Sequence, residues 1–563
     1  MQQARTLRRQ AMITALAVLL VSCGGGDVGD APDAAESATL ELEALDATER
    51  QALAALRPEF APGNEHFIVT LNAAAVAENE RANARTLGAG SPQTLAERAV
   101  QSVTARLMGA PTSGARAHRI YAHALQGFAA TVPTSDVADF LQRVQNDPAV
   151  VRIEYDRVAT ITTTAATPAV VTRAMDSQTW GLDRIDQLKL PLNNTFRNSL
   201  DGSGVHVYIV DTGISVHDDF GSRLASEGYD AIQDGRGTTD CHGHGTHVAG
   251  TAGGTRSGVA PGATLVPVRV LNCGGSGSLS DILQGLDWIM AHGIRPGVVN
   301  LSLGSSAATA LDEAVARIAN AGFTMVVSAG NSNTDACTQS PARTPSALTI
   351  AASTSTDVRS GFSNYGRCVD LFAPGSAISS AANTDPHGWT IKSGTSMSSP
   401  HVTGAAALLL QERPKLTPVQ VASQMLYQAS SAVITDAKGS PNKLLFAGAG
   451  KQLYFPTPWI VHVAQLSPLG KDVTRSSWNA GVTVTVHNED GLPQKSVKVT
   501  GQFSNRSNLV ACTTTAAGTC VLRSVNLPLG TAGLTFAVTQ LSGTAMTYKA
   551  ADNLRSSTPI VKP

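Results

Sequence analysis

The sequence predicts an α/β protein: a parallel sheet covered by helices on both faces, preceded by a small α+β domain and followed by a β-sandwich. Short apolar strands alternate with helical stretches over residues 179–450, which is typical of a parallel sheet. Two β-α-β patterns follow one another over residues 59–160. Over residues 451–563, apolar and polar residues alternate with period two, as in half-buried antiparallel strands.

Length and charge limit the classes of function. A chain of 563 residues is too long for one hydrophobic core, so several domains are expected. Charged residues make up 15% of the chain and the formal net charge is −1. This low charge argues against a nucleic-acid partner.

The N-terminus carries the features of an export signal. Arg5, Arg8 and Arg9 precede an apolar run over residues 11–21 that is too short to span a bilayer, which predicts a signal over residues 1–22. The run ends in small residues before Cys23, similar to a bacterial lipobox in which Cys23 would be lipidated. Ordinary cleavage nearby, with Cys23 incidental, is the alternative. Residues 23–58 are small, acidic and alanine-rich without apolar periodicity, and predict a flexible tether.

The small domain is expected over residues 59–160. Its predicted elements, in chain order, are strand 67–71, helix 95–107, strands 118–125 and 127–132, helix 137–144 and strand 150–158. This order is that of a ferredoxin-like domain. Residues 161–178 are rich in threonine and alanine and contain few long side chains, so we expect an exposed linker.

The central and C-terminal domains follow. Predicted strands of the central sheet are 205–210, 264–271, 298–303, 324–328 and 348–352, alternating with helices such as 279–292 and 307–321. The C-terminal strands are expected at 459–466, 482–486, 496–501, 519–525 and 534–541. Their spacing and alternation predict an immunoglobulin-like sandwich.

Three residues in the central domain suggest nucleophilic catalysis. Asp211 ends an apolar strand, where open α/β sheets place ligands. His244 lies in a glycine-rich corner that enters a small-residue helix. Ser396 precedes the apolar, helix-favouring run 402–410, so helix N–H groups are available to hold an oxyanion. Taken alone, Ser396 would be only a helix cap, but the order Asp, His, Ser matches one order of the catalytic triad.

Four blocks around these residues resemble the subtilases, within them the proteinase K and aqualysin-like branch: Tyr208–Ile214, Gly243–Thr251, Ser328–Asn331 and Ser393–Val402. The resemblance covers roughly the middle half of the chain. It implies a serine endopeptidase in which His244 is the base, Asp211 orients it, Ser396 is the nucleophile and Asn331 donates to the oxyanion. A zinc site at the neighbouring histidines is disfavoured, because the glutamate of a helical zinc motif is missing.

The resemblance also implies a substrate groove. Two segments would pair with an extended substrate backbone, and their glycines permit close approach; they are Gly275, Ser276, Gly277 and Ser302, Leu303, Gly304. Leu279 would stand at the rim of an outer subsite. Leu303, Gly304, Ala329 and Gly330 would line the primary pocket, which predicts a preference for apolar residues.

Six cysteines remain after Cys23, and export permits disulfides. By resemblance, Cys241 pairs with Cys273 and Cys337 with Cys368. Cys512 and Cys520 are then expected to form a local staple. A metal site is the alternative, but no Cys-x-x-Cys spacing occurs.

Calcium is the implied structural cofactor. Asp370 matches a calcium ligand of the branch, joined by the carbonyls of Pro345 and Ala347, and oxygen ligands suit this cation. A salt-bridge role for Asp370 is the alternative. Asp183, Asp186 and Gln187 resemble a second calcium site, although the match weakens at Asn193.

In this family the small domain before the enzyme is an inhibitory prodomain whose trailing segment enters the active site. A free-standing accessory domain is the alternative. We therefore expect protein or peptide substrates, the prodomain as an intramolecular partner, self-cleavage within the linker, and a monomer. Only a lipid on Cys23 would link the precursor to a membrane, and the mature enzyme would be extracellular.

Overall fold

The computed structural model describes residues 39–41, 45–56, 60, 62–87, 92–109, 114–161, 170–171, 179–448 and 459–469, and residues 477–561 with gaps at 489–492, 495, 506–507, 516, 525–526, 529, 532, 543–545, 549, 551–552 and 554–555. The predicted export signal, Cys23 and most of the predicted linker lie outside these residues. Within the described part of the chain, no helix is both long and apolar enough to cross a bilayer.

The N-terminal domain is a five-stranded sheet with helices. Its elements are β1 (Thr39–Glu41), α1 (Ala47–Ala54), β2 (Asn64–Leu71), α2 (Ala73–Leu87), α3 (Pro92–Met108), β3 (Arg116–Tyr121), β4 (Gly127–Pro133), α4 (Val137–Gln145) and β5 (Val150–Tyr155). The strand order is β1-β5-β2-β4-β3. All neighbours are antiparallel except β1 and β5.

The predicted tether over residues 23–58 is wrong for its described part. Strand β1 joins the sheet, and α1 begins with a capping box between Asp46 and Glu49. Leu45 and Leu53 are buried together with Phe60. This segment has too few apolar residues to show a helical or strand periodicity in the sequence. They are nevertheless enough to cover the edge of an existing sheet.

The predicted strand 150–158 is two strands. It breaks at Asp156, whose backbone N–H donates to His66 and whose carboxylate is fully buried. The chain then forms β6 (Val158–Thr160), which leaves the N-terminal sheet and pairs elsewhere. A further short strand, β7 (Val170–Val171), precedes α5 (Trp180–Ile185).

The central domain contains a nine-stranded, mainly parallel sheet, as predicted. Its strands in chain order are β8 (His206–Asp211), β9 (Tyr229–Asp230), β10 (Thr264–Arg269), β12 (Gly297–Leu301), β14 (Thr324–Ser328), β16 (Leu348–Ser353), β17 (Leu371–Pro374), β20 (Ser430–Ser431) and β21 (Lys443–Leu444). The order across the sheet is β20-β21-β17-β16-β14-β12-β8-β10-β9, with only β20 antiparallel to its neighbour.

Short strands outside this sheet form small pairs. They are β11 (Ser276–Ser278), β13 (Ser305–Ser306), β15 (Gln339–Ser340), β18 (Ile378–Ala381) and β19 (Trp389–Lys392). Strand β11 pairs with β6, β13 with β15, and β19 with both β18 and β7. The pair of β11 with β6 joins the chain that follows the N-terminal sheet to the central domain.

Helices cover both faces of the central sheet. They are α6 (His244–Gly253), α7 (Leu279–His292), α8 (Thr309–Asn320), α9 (Thr395–Glu412) and α10 (Pro418–Gln428). Along β8, Val207 and Ile209 face the core shared with α6 and α9, whereas Tyr208 and Val210 face the core shared with α7 and α8. Burial on both faces explains why this strand is a continuous apolar run rather than an alternating one.

The N-terminal domain packs on α7 and α8. Ile68, Tyr121 and Ala129 of this domain belong to the same buried cluster as the apolar residues of those helices. Polar contacts surround the cluster: the carboxylate of Asp287 accepts from three successive backbone N–H groups over residues 122–124. The contact is therefore an extended, largely buried interface.

The C-terminal domain contains, in its described part, two four-stranded sheets and a two-stranded sheet of β23 and β28, with one shared core. The strands are β22 (Trp459–Leu469), β23 (Ser477–Trp478), β24 (Gly481–Asn488), β25 (Lys498–Phe503), β26 (Val510–Thr513), β27 (Thr519–Arg523), β28 (Leu527–Pro528), β29 (Gly533–Ser542), β30 (Met546–Tyr548) and β31 (Ser557–Val561). One sheet has the order β27-β24-β22-β30 and the other β26-β25-β29-β31. Trp478, Phe503 and Phe536 are central to their shared core.

All three predicted disulfides are confirmed. Cys241 is bonded to Cys273, Cys337 to Cys368, and Cys512 to Cys520. The last bond joins β26 to β27 and so links the two C-terminal sheets, which is more than the predicted local staple.

A buried ion pair predicts a large stability effect. Arg184 is fully buried and forms a bidentate pair with Asp357, at 2.6 and 2.9 Å. We expect Asp357→Ala to cost about 3–5 kcal/mol, because the guanidinium is left buried and unpaired. Unfolding of the chain in the background of Ser396→Ala, which removes the predicted nucleophile, measures this. The exposed pair of Asp218 with His387 is the control, and Asp218→Ala should change stability little; equal losses at both sites would contradict the prediction.

Candidate active site

Asp211 and His244 meet at the carboxyl end of the sheet. Asp211 is the last residue of β8 and His244 is the first of α6, after Gly243, whose φ of 91° lets the chain turn into the helix. His244 Nδ1 lies 2.8 and 2.9 Å from the two carboxylate oxygens of Asp211, and both side chains are fully buried. Because a carboxylate only accepts, this geometry assigns the proton to Nδ1 and leaves Nε2 as the acceptor.

Ser396 lies in the first turn of α9, which packs against α6. Its Oγ donates to the carbonyl of Ser302 at 3.1 Å, and Ser302 Oγ donates to the carbonyl of Ser396 at 3.0 Å. Ser302 directly follows β12, the neighbour of β8 in the sheet. Within the described part of the chain, Nε2 of His244 has no hydrogen-bond partner. Ser396 is therefore held by its hydrogen bond to Ser302, and His244 by its hydrogen bond to Asp211. The serine and the histidine are not hydrogen-bonded to one another.

The side chain of Asn331 is oriented by the same helix. Asn331 follows β14, and its Oδ1 accepts from the backbone N–H of Thr395 at 2.8 Å and from its hydroxyl at 2.9 Å. Gly330, with φ of 99°, donates its N–H to the same hydroxyl. Since Oδ1 is fixed on Thr395, the NH2 end of the amide is directed the other way.

The two predicted substrate-pairing segments hold a strand of the chain itself. Strand β6 pairs antiparallel with β11, with Thr160 opposite Ser276 and Ala159 opposite Gly277. On the other side, Thr160 and Gly304 exchange both backbone hydrogen bonds, at 3.0 and 3.2 Å. The N-terminal domain therefore places an extended segment in the groove.

The ends of this segment are also held. Ile161 donates its N–H to Gly275 at 3.0 Å, and Leu279 donates to Arg157 at 2.8 Å. Leu279, predicted to lie at the rim of an outer subsite, is fully buried and belongs to the same apolar cluster as Ala159 of the segment.

A cavity of about 160 Å³ lies beside the segment. All its lining residues are uncharged: Val158, Thr160, Gly304, Ser305, Ser306, Ser328, Ala329, Gly330, Asn331, Ser332, Gln339, Ser340, Ala342 and Asn364. Gly304, Ala329 and Gly330 line it as predicted. Leu303 does not; its side chain is buried in the core shared with α7 and α8.

Comparisons with known proteins agree with this geometry. A family model described as the subtilase family matches residues 202–450. The extracellular serine proteinase of Thermus sp. (strain Rt41A) is 48% identical over 392 residues, which cover 69% of this chain and 90% of that protein. The chain belongs to the subtilase family.

Two further matches extend the comparison. Alkaline serine exoprotease A of Vibrio alginolyticus is 46% identical over 329 residues, which cover 58% of this chain and 60% of that protein. A crystal structure of a cold adapted subtilisin-like serine proteinase is 48% identical, with 49% of this chain and 100% of that chain covered and a TM-score of 0.48. As a subtilase, the protein is a serine endopeptidase.

The histidine next to the catalytic corner, His247, is hydrogen-bonded elsewhere in this subtilase. His247 is fully buried and its Nε2 bonds to the carbonyl of Ile378, and burial lowers its pKa to about 3. Among the described residues, Asp234 with Cys241 and Cys273 is the only potential metal cluster, and both cysteines are in a disulfide.

The predicted calcium ligands include one buried aspartate, Asp183, and two half-buried ones, Asp186 and Asp370. Asp370 accepts only from the N–H of Thr349 among the described contacts, and burial raises its pKa to about 6. Asp183 accepts from two backbone N–H groups, over residues 193–194. Asp186 Oδ1 is buried without a hydrogen-bond partner, and burial raises the pKa of that side chain. The Asp186 oxygen is the clearest unsatisfied acceptor of the two sites.

Residues not predicted from the sequence also surround the triad candidates. Asp240 is 3% exposed and accepts hydrogen bonds on both sides of His244. Lys392 ends β19, and burial lowers its pKa while Asp240 and Asp211 raise it. The position of Asp240 next to Cys241 and just before a glycine turn was the available signal, since aspartate often accepts from the backbone at such turns.

Gly245 gives a direct test of how tightly this corner is packed. A Cβ at Gly245 would lie 2.1 Å from the carbonyl oxygen of Gly213, so α6 would have to move. We expect Gly245→Ala to cost about 1–3 kcal/mol and to lower peptide hydrolysis, because His244 is the adjacent residue. Gly361 is the matched control, since its added Cβ meets nothing within 4 Å. Wild-type turnover in Gly245→Ala would show that the corner is not tightly constrained.

Proposed function

We propose that the chain is an exported serine endopeptidase that acts through Asp211, His244 and Ser396 and is made as a precursor inhibited by its own N-terminal domain. The observation that carries this proposal is the segment Val158–Ile161, which occupies the groove between Gly275–Ser278 and Gly304 like a bound substrate. Groove backbone groups that bind this segment can bind any extended peptide in the same way.

Catalysis would begin with a change of hydrogen-bond partner by the serine. The Ser396 hydroxyl donates to Ser302 in the resting state, and rotation towards Nε2 of His244 would let the imidazole take the proton as Oγ attacks the peptide carbonyl. Asp211 holds the ring in the required tautomer and stabilises the imidazolium that forms. His244 then protonates the leaving amine, and water releases the acyl group by the same route.

The oxyanion would be held by backbone and side-chain donors. Its negative charge forms next to the N-terminus of α9, where helix N–H groups are unpaired. The NH2 group of Asn331 would be a second donor, because Thr395 fixes the opposite end of the amide. In a related subtilisin, removal of this type of donor lowers turnover by about 10²–10³.

Specificity would come mainly from the cavity next to Thr160. Its lining carries no charge that could bind a basic or acidic side chain. Small residues such as Gly304 and Ala329 leave room for an apolar side chain. We therefore propose broad specificity with an apolar preference on the acyl side.

Other parts of the proposal rest on the sequence and on the family. The Thermus relative is named an extracellular proteinase, which supports export and an extracellular mature enzyme. Calcium bound by Asp370 with Pro345 and Ala347, and by Asp183, Asp186 and Gln187, would stabilise loops of the central domain. A lipid on Cys23 would anchor only the precursor, and the mature enzyme would be a monomer. We assign the ferredoxin-like fold to the prodomain and the immunoglobulin-like fold to the C-terminal domain.

The register of the bound segment predicts the bond that is cut first. Thr160 pairs with Gly304, and the carbonyl of Ser302, two residues before Gly304, accepts from Ser396 Oγ. An extended peptide that kept this antiparallel register would have the residue two after the Thr160 position opposite Ser302. We therefore expect self-cleavage after Thr162, giving a mature chain that starts at Thr163. N-terminal sequencing early in maturation measures this.

Two variants control the cleavage experiment. Ser396→Ala and His244→Ala should both remain uncut. A first N-terminus elsewhere would show that the register is wrong, and an intact wild-type chain would support a silent scaffold that carries the triad without using it.

A buried carboxyl at the interface predicts that release of the prodomain depends on pH. Asp156 accepts from the N–H of Ser280 and has no partner for Oδ2 among the described residues, and burial raises its pKa to about 7. Asp281 also raises this pKa, whereas Arg119 lowers it. Because burial raises this pKa, Asp156 is preferentially protonated in the complex. The N-terminal domain therefore binds the central domain most strongly at acid pH, and this binding weakens as pH rises through about 7.

We expect activation after self-cleavage to become faster between about pH 5 and 8. Asp156→Asn mimics the protonated carboxyl and should flatten this dependence and slow activation at the alkaline end. The lag before peptide hydrolysis, measured across this range, tests it. Asp139→Asn, at an exposed position of the same domain, should keep the wild-type profile. An unchanged profile in Asp156→Asn would contradict the prediction.

A further inference from the structure

Asp240 collects hydrogen bonds from both sides of the catalytic pair. Its Oδ1 accepts from the hydroxyl of Thr212 at 2.8 Å and from the N–H groups of His242 and Gly243 at 2.9 and 2.8 Å. Its Oδ2 accepts from the N–H of Thr246 at 2.9 Å and from its hydroxyl at 2.6 Å. Five donors therefore converge on one buried carboxylate.

These donors are next to the two residues that must be held together. Thr212 directly follows Asp211. The other donors lie one or two residues before or after His244, at the start of α6. The hydroxyl of Thr212 also accepts from the N–H of Gly245 at 2.9 Å, so a second bridge runs parallel to the first. The turn after β8 and the N-terminus of α6 are thus connected through one acceptor.

We propose that Asp240 is a positioning residue for the hydrolytic reaction: it fixes the loop of Asp211 to the helix of His244. Its carboxylate is fully paired, and hydrogen bonds to a charged acceptor are stronger than neutral ones. Misplacement of a catalytic group by about 1 Å can cost about 10²-fold in rate. This inference rests on the proposed triad and adds to it a residue that does not touch substrate.

The matched control is Asp219, a second buried aspartate of the same domain. Its oxygens accept from the N–H of Arg256 and from the N–H and hydroxyl of Ser257, away from the Asp211–His244 pair. It is 3% exposed, as Asp240 is. Loss of charge at either position should therefore perturb folding to a similar degree, while only Asp240 should affect catalysis.

The experiment compares Asp240→Asn with Asp219→Asn, each introduced as a single substitution and measured after maturation. We expect Asp240→Asn to lower kcat for a peptide substrate about 10- to 100-fold, with KM within about twofold. Asp219→Asn should leave kcat unchanged even where its thermal stability falls equally. Equal kcat losses in the two variants, or an unaffected Asp240→Asn enzyme, would overturn the proposal.

The pH dependence of kcat is a further test, because a purely structural role for Asp240 would not shift it. His244 bonds to Asp211 of β8, and His242 and His247 interact electrostatically with it. The same corner holds Asp240, which interacts with His242, and Lys392 of β19, which interacts with Asp240 and Asp211. Asp240→Asn takes one negative charge out of this corner, so the acid limb of the kcat profile should shift to lower pH in that variant. A profile identical to that of Asp219→Asn would count against positioning.

A second pair of variants decides the question if Asp240→Asn does not mature. Thr212→Val removes the bridging hydroxyl with little change in shape, whereas Thr212→Ser keeps it. We expect kcat about tenfold lower in Thr212→Val and near wild type in Thr212→Ser; equal activity in both would overturn the proposal. An inactive wild-type enzyme would instead refute the proposed function, so the two failures are distinguishable.

Discussion

The site depends on one constraint: parallel strands that lie side by side end at the same edge of a sheet. Strand β8 ends in Asp211, its neighbour β12 leads into Ser302, and the next strand, β14, leads into Asn331. Residues far apart in the chain are thereby brought to one line without any need for local sequence proximity. Helices α6 and α9 then start at this edge and supply His244 and Ser396.

The same edge explains why an extended segment binds there. Gly275–Ser278 and Gly304 present backbone donors and acceptors on either side of a gap one strand wide. In the described structure, Val158–Ile161 satisfies them. A substrate that binds in this groove would have to replace the segment, so under the proposed function inhibition and recognition would use the same hydrogen bonds. The N-terminal domain adds a buried interface on α7 and α8 that an ordinary substrate does not have.

Much of this arrangement was predictable because glycines, strand ends and helix starts recur at fixed places around such a site. The contact between Asp211 and His244, the groove formed by Gly275 and Gly304, and the three disulfides all agree with the resemblance. The central strands were also located well. A buried parallel strand is a short apolar run between turn residues, and that signal is strong.

The failures have physical reasons. Residues 39–41 and 45–56 fold because a sheet already exists for them to cover, which local composition does not reveal. Leu279 and Leu303 are buried in the core on the α7 and α8 side of the sheet, whereas the sequence pattern only placed them near the groove. The carboxylate of Asp240 accepts from three backbone N–H groups as well as from two threonine hydroxyls. Backbone donors are not tied to a residue type, so the glycine turn was the main signal that the sequence offered.

The central claim is that Ser396 is a nucleophile activated by His244. Labelling with a fluorophosphonate, followed by peptide mass mapping, tests it most directly, because the reagent bonds only to an activated serine. The account predicts modification of Ser396 in the matured wild-type chain, and none in denatured protein or in His244→Ala. Labelling of another serine, or equal labelling of Ser396 with and without His244, would contradict it.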